Sequence, residues 1–572
     1  MLDFRVGCRS PGAEAIPGPI RAWAHNERVP LPSSSPPIRH TADPARTRED
    51  LASLRPGLVD RYDEELAGAR AAVLARLLGA LDREHLPEMT ARRPGEVVFR
   101  GLTVRYDPAA AAPFAAAGAG LSAAVHVARQ PPPGDWAWQG PEPGGTAPAG
   151  AVLFDPGTLV RVLWPGTDLA AEIDNSVANL ALARAGRDLP GSGLPRPGLP
   201  QPGDPDALGR LEQLVTDGHP LHPCCRTRGG MSVADVLAYA PEHAPVIRLR
   251  RLRVPPDRWW GTAEPVLLAH PWQAGRLLDR YPWLADDGET APCRPLMSLR
   301  TVAPVDGGPH VKTAVDVQMT SAVRTVSPAA VHNGPILSAL LRRLTADLPI
   351  DVLAETAAGA VLVDGVPQRH LAHVVREAPA LGPGETAVPL AALGASPLLL
   401  ATVPSPYDVI AQLGTLLFAP LLRVLERGVA LEAHGQNTLV VLRDGRPTRI
   451  LYRDFGGVRV LPARLRNAGL EPPGLRGDLP TDDPAVLRTK LAAAAFGTVA
   501  AQLIAALTRH RGADPGRLWG LVAAAVRESG TADAPYLLRD PLPVKATTAM
   551  RLAADPLDDI WALLDNPMAA HA

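Results

Sequence analysis

Glu432 to Gly457 reads EAHGQNTLVVLRDGRPTRILYRDFGG, with its polar residues gathered at the two ends of an apolar pattern. TLVVLR and TRILYR are rich in β-branched and apolar residues, and DGRP between them is turn chemistry, so the segment is predicted to be a β-hairpin. Folding the strands back brings Asn437 and Asp454 to the same end. A carboxylate and an amide oxygen there suit one hard cation such as Mg²⁺, which prefers oxygen ligands. That end of the hairpin is read as a metal site.

A second cluster reads SLRTVAPVDGGPHVKTAVDVQMTSAVRT. Alternate residues of a strand share a face, so Ser298 is expected beside Arg300, and Lys312 beside Asp316 and Gln318. Arg300, Lys312 and Arg324, with hydroxyls from Ser298, Thr301, Thr320 and Ser321, are placed to converge on an anion. Arginine suits bidentate oxyanion contacts and lysine supplies a compact charge. A third cluster, GHPLHPCCRTRGG, sets His219 and His222 each before a proline, which predicts a fixed extended loop. Two His and two Cys within seven residues suggest zinc, but tetrahedral sites draw on two separated ligand pairs and no distant pair follows. A rigid basic loop presenting imidazole to a carboxylate fits better. His270, in HPWQ, is expected to cap the junction of a strand and a helix.

These clusters sit in a chain of 572 residues with formal net charge −1. The length allows several cores, and the charge gives no global field favouring nucleic acid. Four cysteines make no disulfide framework at this length. No apolar run is expected to reach transmembrane length and the N-terminus lacks a signal-peptide core, so a soluble, cytoplasmic protein with no membrane partner is expected. The elements read as α+β with a helical C-terminal lobe. Residues 1–55 are expected to be a poorly ordered tail, 56–205 an N-terminal lobe, 206–400 a central α+β lobe carrying the phosphate and carboxylate site, and 401–572 a lobe with the nucleotide hairpin and terminal helices. A helix is predicted over Leu58–Leu86 and another over TDLAAEIDNSVANLALARAG, capped by Thr167 or Asp168. Pro131–Gly150 and Leu189–Pro205 read as inserted loops.

Taken in order, EIDNSVAN, GHPLHPCCRTRGG with YAPEH, HPWQ, SLRT…HVKT…R and EAHGQN…RDF, with a weaker PVKATTAMRL near the end, resemble the IucA/IucC family of NRPS-independent siderophore synthetases. The resemblance spans roughly residues 165 to 552. It implies a hand-like architecture of fingers, palm and thumb with mixed sheets in the centre. It implies an ATP- and Mg²⁺-dependent enzyme that activates a carboxylate of citrate or a similar acid as an acyl adenylate, which an amine or hydroxyl then attacks. By position, Ser298, Arg300, Thr301, Lys312, Arg324, His434 and Asn437 would hold the triphosphate, with Glu432 and Asp454 near the nucleotide or metal. His219, His222, Arg226 and Arg324 would face the carboxylate, and His434, Arg324 and Lys312 would serve catalysis. Homodimerisation is implied by the resemblance alone. Arg226 departs from many relatives, which carry Lys there, and the Cys224–Cys225 pair is unfamiliar.

Two other readings remain open. Protein kinases place an acid, an Asn and a DFG Asp around a similar hairpin, and Glu432, Asn437 and Asp454 copy that order, although no Gly-rich loop precedes a V-A-I-K-like strand. A catalytically inactive binding protein of the same fold is the third.

Overall fold

A computed structural model describes residues 40, 42–115, 123–128, 151–186, 199–556 and 558–572. The hairpin forms as its sequence predicts: Thr438–Arg443 pairs antiparallel with Arg446–Tyr452, and Arg443 lies opposite Arg446. Asp444 and Gly445 have φ of 53° and 72°, the left-handed turn whose twist matches that of paired strands. A Cβ on Gly445 would stand 2.2 Å from the Thr402 carbonyl oxygen. Gly445→Val is therefore expected to destabilise the protein by at least about 2 kcal/mol, read as a lowered midpoint of urea unfolding.

Glu385–Pro389 adds to this hairpin antiparallel and Ile350–Val352 adds parallel, giving a four-stranded sheet. Against it pack two long helical runs, Pro406–Glu426 and Pro484–Arg511. Phe418 and Phe496 meet between them with ring centroids 5.5 Å apart, among the largest fully buried side chains. Each such ring contributes roughly 1.5–3 kcal/mol by leaving water. Both runs are apolar and long enough to cross a membrane, contrary to the sequence expectation, but 61% and 72% of their apolar windows are buried within the protein. Their apolar surface is used by the core.

A second, six-stranded sheet orders Cys293–Pro295, Thr301–Pro304, His310–Thr313, Val366–Arg376, Glu355–Val363 and Trp259–Gly261, antiparallel throughout. Among the described strands only the sheet holding the hairpin contains a parallel pair, so the expectation of mixed sheets holds for one sheet and fails for this one. The physical reason is connection length: neighbouring strands here are joined mostly by short turns, which return the chain antiparallel.

The ribbon through Lys312 also departs from expectation. Its strand stops at Thr313, and Val315–Met319 pairs instead with Ala322–Arg324 in a separate two-stranded sheet. Gln273, from HPWQ, pins the break by donating to the Ala314 carbonyl and accepting from the Asp316 N–H. Asp316 and Gln318 therefore do not share a strand face with Lys312.

Helices Val59–Arg83 and Leu169–Ala185 pack together beside a five-stranded antiparallel sheet that begins at Met89 and ends at Leu153. Asp168 is the N-cap of the second helix, but neither it nor Thr167 supplies a side-chain cap: Thr167 Oγ1 donates to the Trp164 carbonyl. This core also takes in Leu299, Val315 and Val317, and the late segment Val544–Ala562. Inside the expected tail, Pro44–Leu54 is a helix: Asp43 caps it through the Arg46 N–H, Pro44 starts it, and Leu51 is fully buried. Residues 1–39 lie outside the described residues, as do 131–150 and most of 189–205.

His270 caps helix Pro271–Arg280, its Nδ1 accepting from the Trp272 N–H at 3.2 Å. Burial lowers His270 to about 3, and His370 and His373 to about 4. Unfolded, each binds a proton near pH 6.5, so the unfolded state takes up more protons below that pH and native stability falls on acidification. Glu84 and Glu355, raised by burial to about 7, act oppositely between about pH 4.5 and 7. With buried imidazoles the more numerous, thermal unfolding is expected to move to lower temperature as pH falls from about 6.5 to 4.5.

Candidate active site

Lys312 and Asp454 are 142 positions apart in sequence and in contact in space: Lys312 Nζ donates to both carboxylate oxygens, at 2.8 and 2.7 Å. The lysine comes from the six-stranded sheet and the aspartate from the exit of the hairpin, so the pair joins the two sheets. Burial would raise the Asp454 carboxyl, but Lys312, then Arg376 and Arg300, hold it well below the usual carboxylate range. Asp454 has φ of 69°, a left-handed conformation that costs a non-glycine residue free energy and concentrates at functional sites.

The pair lines a cleft of about 690 Å³, within the ordinary range for small-molecule sites. Eleven Lys and Arg side chains line it against four Asp and Glu, in a chain with net charge −1. Three of the eleven are paired from behind by two carboxylates. Arg226 and Arg228 pair with Glu242, and Arg453 with Glu212. The remaining eight still outnumber the four acids, which suits a polyanion. Among the described residues Arg300 Nε and Arg376 Nε are buried without a hydrogen-bond partner, the condition expected of donors meant for a ligand. Burial, reinforced by neighbouring arginines, lowers Arg324 and Arg376 to about 10, so both stay charged at neutral pH.

Ser298 and Arg300 both line the cleft, though not as alternate strand residues. They precede the strand, whose first residue is Thr301, and the intervening Leu299 has φ of 64°. Ser298 Oγ accepts from the Thr301 N–H, and Arg300 donates to the Thr325 carbonyl.

One end of the cleft carries the histidine loop. His219 Nδ1 accepts from the N–H groups of Leu221 and His222, and His222 Nδ1 from that of Cys224. Each neutral ring must then carry its proton on Nε2. His222 donates it to Ser321 Oγ at 2.7 Å. His219, open to the cleft, presents its Nε2–H there. Burial, then His219 and Arg551, push His222 far down; His219 is also lowered, by the surrounding protein and then by His434 and Arg76. Arg324 reaches the same end, donating to the Met319 carbonyl at 2.9 Å and to Thr320 Oγ1 at 2.6 Å.

Arg226 does not behave as an anion ligand. Its guanidinium donates to Glu242 and to the Val215 and Thr216 carbonyls, so it holds the loop from within the wall. Cys224 and Cys225 are buried free thiols; Cys224 Sγ contacts Glu172 and Cys225 Sγ contacts Ser176. Among the described residues no group of three His, Cys, Asp or Glu side chains is placed for a metal ion.

The cleft also holds His434, which acts on His219, together with Asn437 and a charge network. Glu432 meets Lys490 at 2.9 Å and Lys545 at 3.6 Å, while Asp559 meets the same lysines at 3.5 and 3.0 Å. Burial would raise Glu432, but Lys490 and then Lys545 hold it down to about 2. Lys490 and Thr498 come from the run whose stretch Ala492–Ala500 is wound as π-helix, a feature frequent at functional sites. Sequence reasoning missed Lys490, Lys545, Asp559, Arg369 and Arg376. Lys545 stands in PVKATTAMRL, but Lys490 and Arg376 look like ordinary helix and strand residues.

Asn437 and Asp454 share the hairpin's end, since Arg453 N–H donates to the Asn437 carbonyl. Asn437 Nδ2 donates to the Glu432 carbonyl at 3.4 Å. The donor types suit Mg²⁺, which binds through one or two carboxylates plus substrate phosphates.

The fold and the cleft define an α+β protein with a basic site built between two sheets. Residues 207–265 and 260–395 match the family described as IucA / IucC family, and residues 410–553 match one described as ferric iron reductase FhuF-like transporter. The chain is 26% identical to staphyloferrin A synthase of Staphylococcus aureus (strain NCTC 8325 / PS 47), over 64% of this chain and 73% of that protein. It is 28% identical to aerobactin synthase of Escherichia coli, over 43% and 54% respectively. The structure of petrobactin biosynthesis protein AsbB from Bacillus anthracis str. Sterne superimposes with a TM-score of 0.70 at 16% identity, covering 90% of this chain and 98% of that one. ATP-bound aerobactin synthetase IucA from a hypervirulent pathotype of Klebsiella pneumoniae does so with 0.65 at 19%, covering 88% and 99%. The last two likenesses establish the fold. The likeness to the IucA/IucC family covers residues 207–395 of the 572. The FhuF-like segment contains no cysteine, so it cannot hold an iron–sulfur centre by thiolates.

Proposed function

We propose that this protein is an ATP-dependent siderophore synthetase that adenylates a carboxylate of citrate or a citrate-like acid and condenses it with an amine or hydroxyl nucleophile. The observation that carries the reading is the Lys312–Asp454 contact. It brings the anion-binding ribbon and the hairpin's amide–acid end into one cleft with a surplus of cations. The relatives' names, which include D-ornithine–citrate ligase of Staphylococcus aureus at 24% identity, supply the substrate class.

In the first step a carboxylate oxygen attacks the α-phosphorus of ATP, forming a C(O)–O–P bond and expelling pyrophosphate. Two anions must meet, and Arg300, Lys312, Arg324 and Arg376 offset their repulsion while adding to transition-state stabilisation. The fixed Nε2–H of His219, with Arg324, orients the acid for in-line attack. In the second step the nucleophile attacks the acyl carbon and AMP leaves, with the nucleophile's proton passing to a base. His434 is suited to that role. Burial lowers its pKa, against the pull of Glu432, so it is neutral at pH 7. When bound, Mg²⁺ would be held by Asn437, Asp454 and the phosphates, and would supply charge neutralisation. Cytoplasmic residence and homodimerisation belong to the same proposal.

A phosphotransferase is disfavoured because Glu432, the residue in the catalytic-acid position, is held by two lysines. Pyrophosphate and AMP released in equal amounts, only when citrate or a related acid is present, is the expected result. ADP without AMP, or no turnover with any acid and amine, would overturn the reading.

A further inference from the structure

The motif EIDNSVAN carries Glu172 in the first turn of helix Leu169–Ala185, and nothing in the reaction above uses it. Its carboxylate is 1% exposed and meets Arg551 as a two-pronged pair, Arg551 Nε donating to Oε2 at 2.8 Å and Nη2 to Oε1. Arg551 comes from the short helix Thr547–Leu552, 379 positions later. Its remaining nitrogen, Nη1, donates to the Ser321 carbonyl at 3.2 Å. That contact falls on the two-residue turn Thr320–Ser321, where Thr320 has φ of 54°. The same turn supplies Thr320 Oγ1 to Arg324 and Ser321 Oγ to His222. Glu172 also accepts the Cys224 thiol at 3.7 Å and, through its carbonyl, the Thr227 hydroxyl, so it braces the histidine loop from the other side.

We infer that the Glu172–Arg551 pair is a positioning clamp for the acid-binding end of the cleft, holding the Thr320–Ser321 turn so that His222 and Arg324 keep the orientation the carboxylate substrate requires. A strained turn needs outside contacts to persist, and Arg551 supplies one from an element otherwise remote in sequence. The nucleotide end, with Asn437 and Lys490, shares none of these bonds. The clamp therefore acts more strongly on the acid than on ATP, which Arg324 meets only at the α-phosphate. This inference rests on the proposed synthetase reaction.

The test is steady-state pyrophosphate release by Arg551→Gln and by the charge-neutral double variant Glu172→Gln/Arg551→Gln, with the unfolding temperature of each. The double variant avoids stranding a buried carboxylate, which could prevent the single variant from folding. Misplacement by about 1 Å can cost about a hundredfold, so KM for the acid is expected to rise about tenfold to a hundredfold while KM for ATP stays within about twofold. Arg551→Lys, which keeps the charge and loses the fork, is expected to recover part of the acid affinity. Equal changes in both KM values, or unchanged kinetics in the folded double variant, would overturn the clamp while leaving the synthetase reading intact. A wild-type protein releasing no pyrophosphate with any acid would overturn both, because no acid would be there to position.

Discussion

Lys312→Ala is expected to lower acid-dependent pyrophosphate release by about three orders of magnitude. The lysine is the cation in direct contact with Asp454, and its side chain is 9% exposed. Removing it subtracts a positive charge where the triphosphate's charge must be met and frees a carboxylate that repels the same phosphates. Both effects act in a low-dielectric site, where single preorganised donors are commonly worth a hundredfold to a thousandfold. The Asp454 pKa should rise, because its largest favourable partner is gone. Lys312→Arg retains the charge but not the geometry and is expected to fall between. Breaking a buried pair also costs stability, about 3 kcal/mol when the remaining charge is fully enclosed. Asp454 is 27% exposed, which reduces that cost. Lys312→Ala protein that folds, binds ATP normally and turns over like wild type would remove the proposed site.

Arg324→Ala is the second large effect, about a hundredfold to a thousandfold in kcat/KM for the acid. Arg324 uses Nη2 to hold the Met319 carbonyl and Thr320 Oγ1, and it lines the cleft beside His222 and Arg300. Its loss removes a charge that both the carboxylate and the α-phosphate would meet as they approach, so kcat and KM for the acid should both suffer. The Glu172–Arg551 clamp predicts a different signature, confined largely to KM. Comparing the two variants separates a residue that touches substrate from one that holds such a residue in place. An Arg324→Ala enzyme with unchanged kcat/KM would exclude Arg324 from the chemistry.

The hairpin at 438–452 was legible because it is local: alternating apolar strands and an Asp-Gly turn specify it without help from the rest of the chain. The same holds for helix Val59–Arg83 and for the His270 cap. That Arg300, Lys312, Arg324, Asn437 and Asp454 line one cleft was anticipated from residue type and order, because the proposed phosphate and carboxylate ligands demand cations and amide or acid groups in any fold.

What required tertiary structure was the partner of each charge. Arg226 and Arg324 look equally available as side chains, yet Glu242, 16 positions from Arg226, and two backbone carbonyls absorb one guanidinium while the other stays in the cleft. Lys490 and Arg376 carried no local signal, since a single cation in a helix or strand is usually a solvated one. The break after Thr313 was likewise invisible, because Gln273 forces it from another element. Residue types and local periodicity determined the hairpin, the long helices and the basic character of the cleft. Which charges are neutralised and which are left to face a ligand was decided by contacts between separate elements, from the 16 positions between Arg226 and Glu242 to the 142 between Lys312 and Asp454, and no local pattern encodes such pairings.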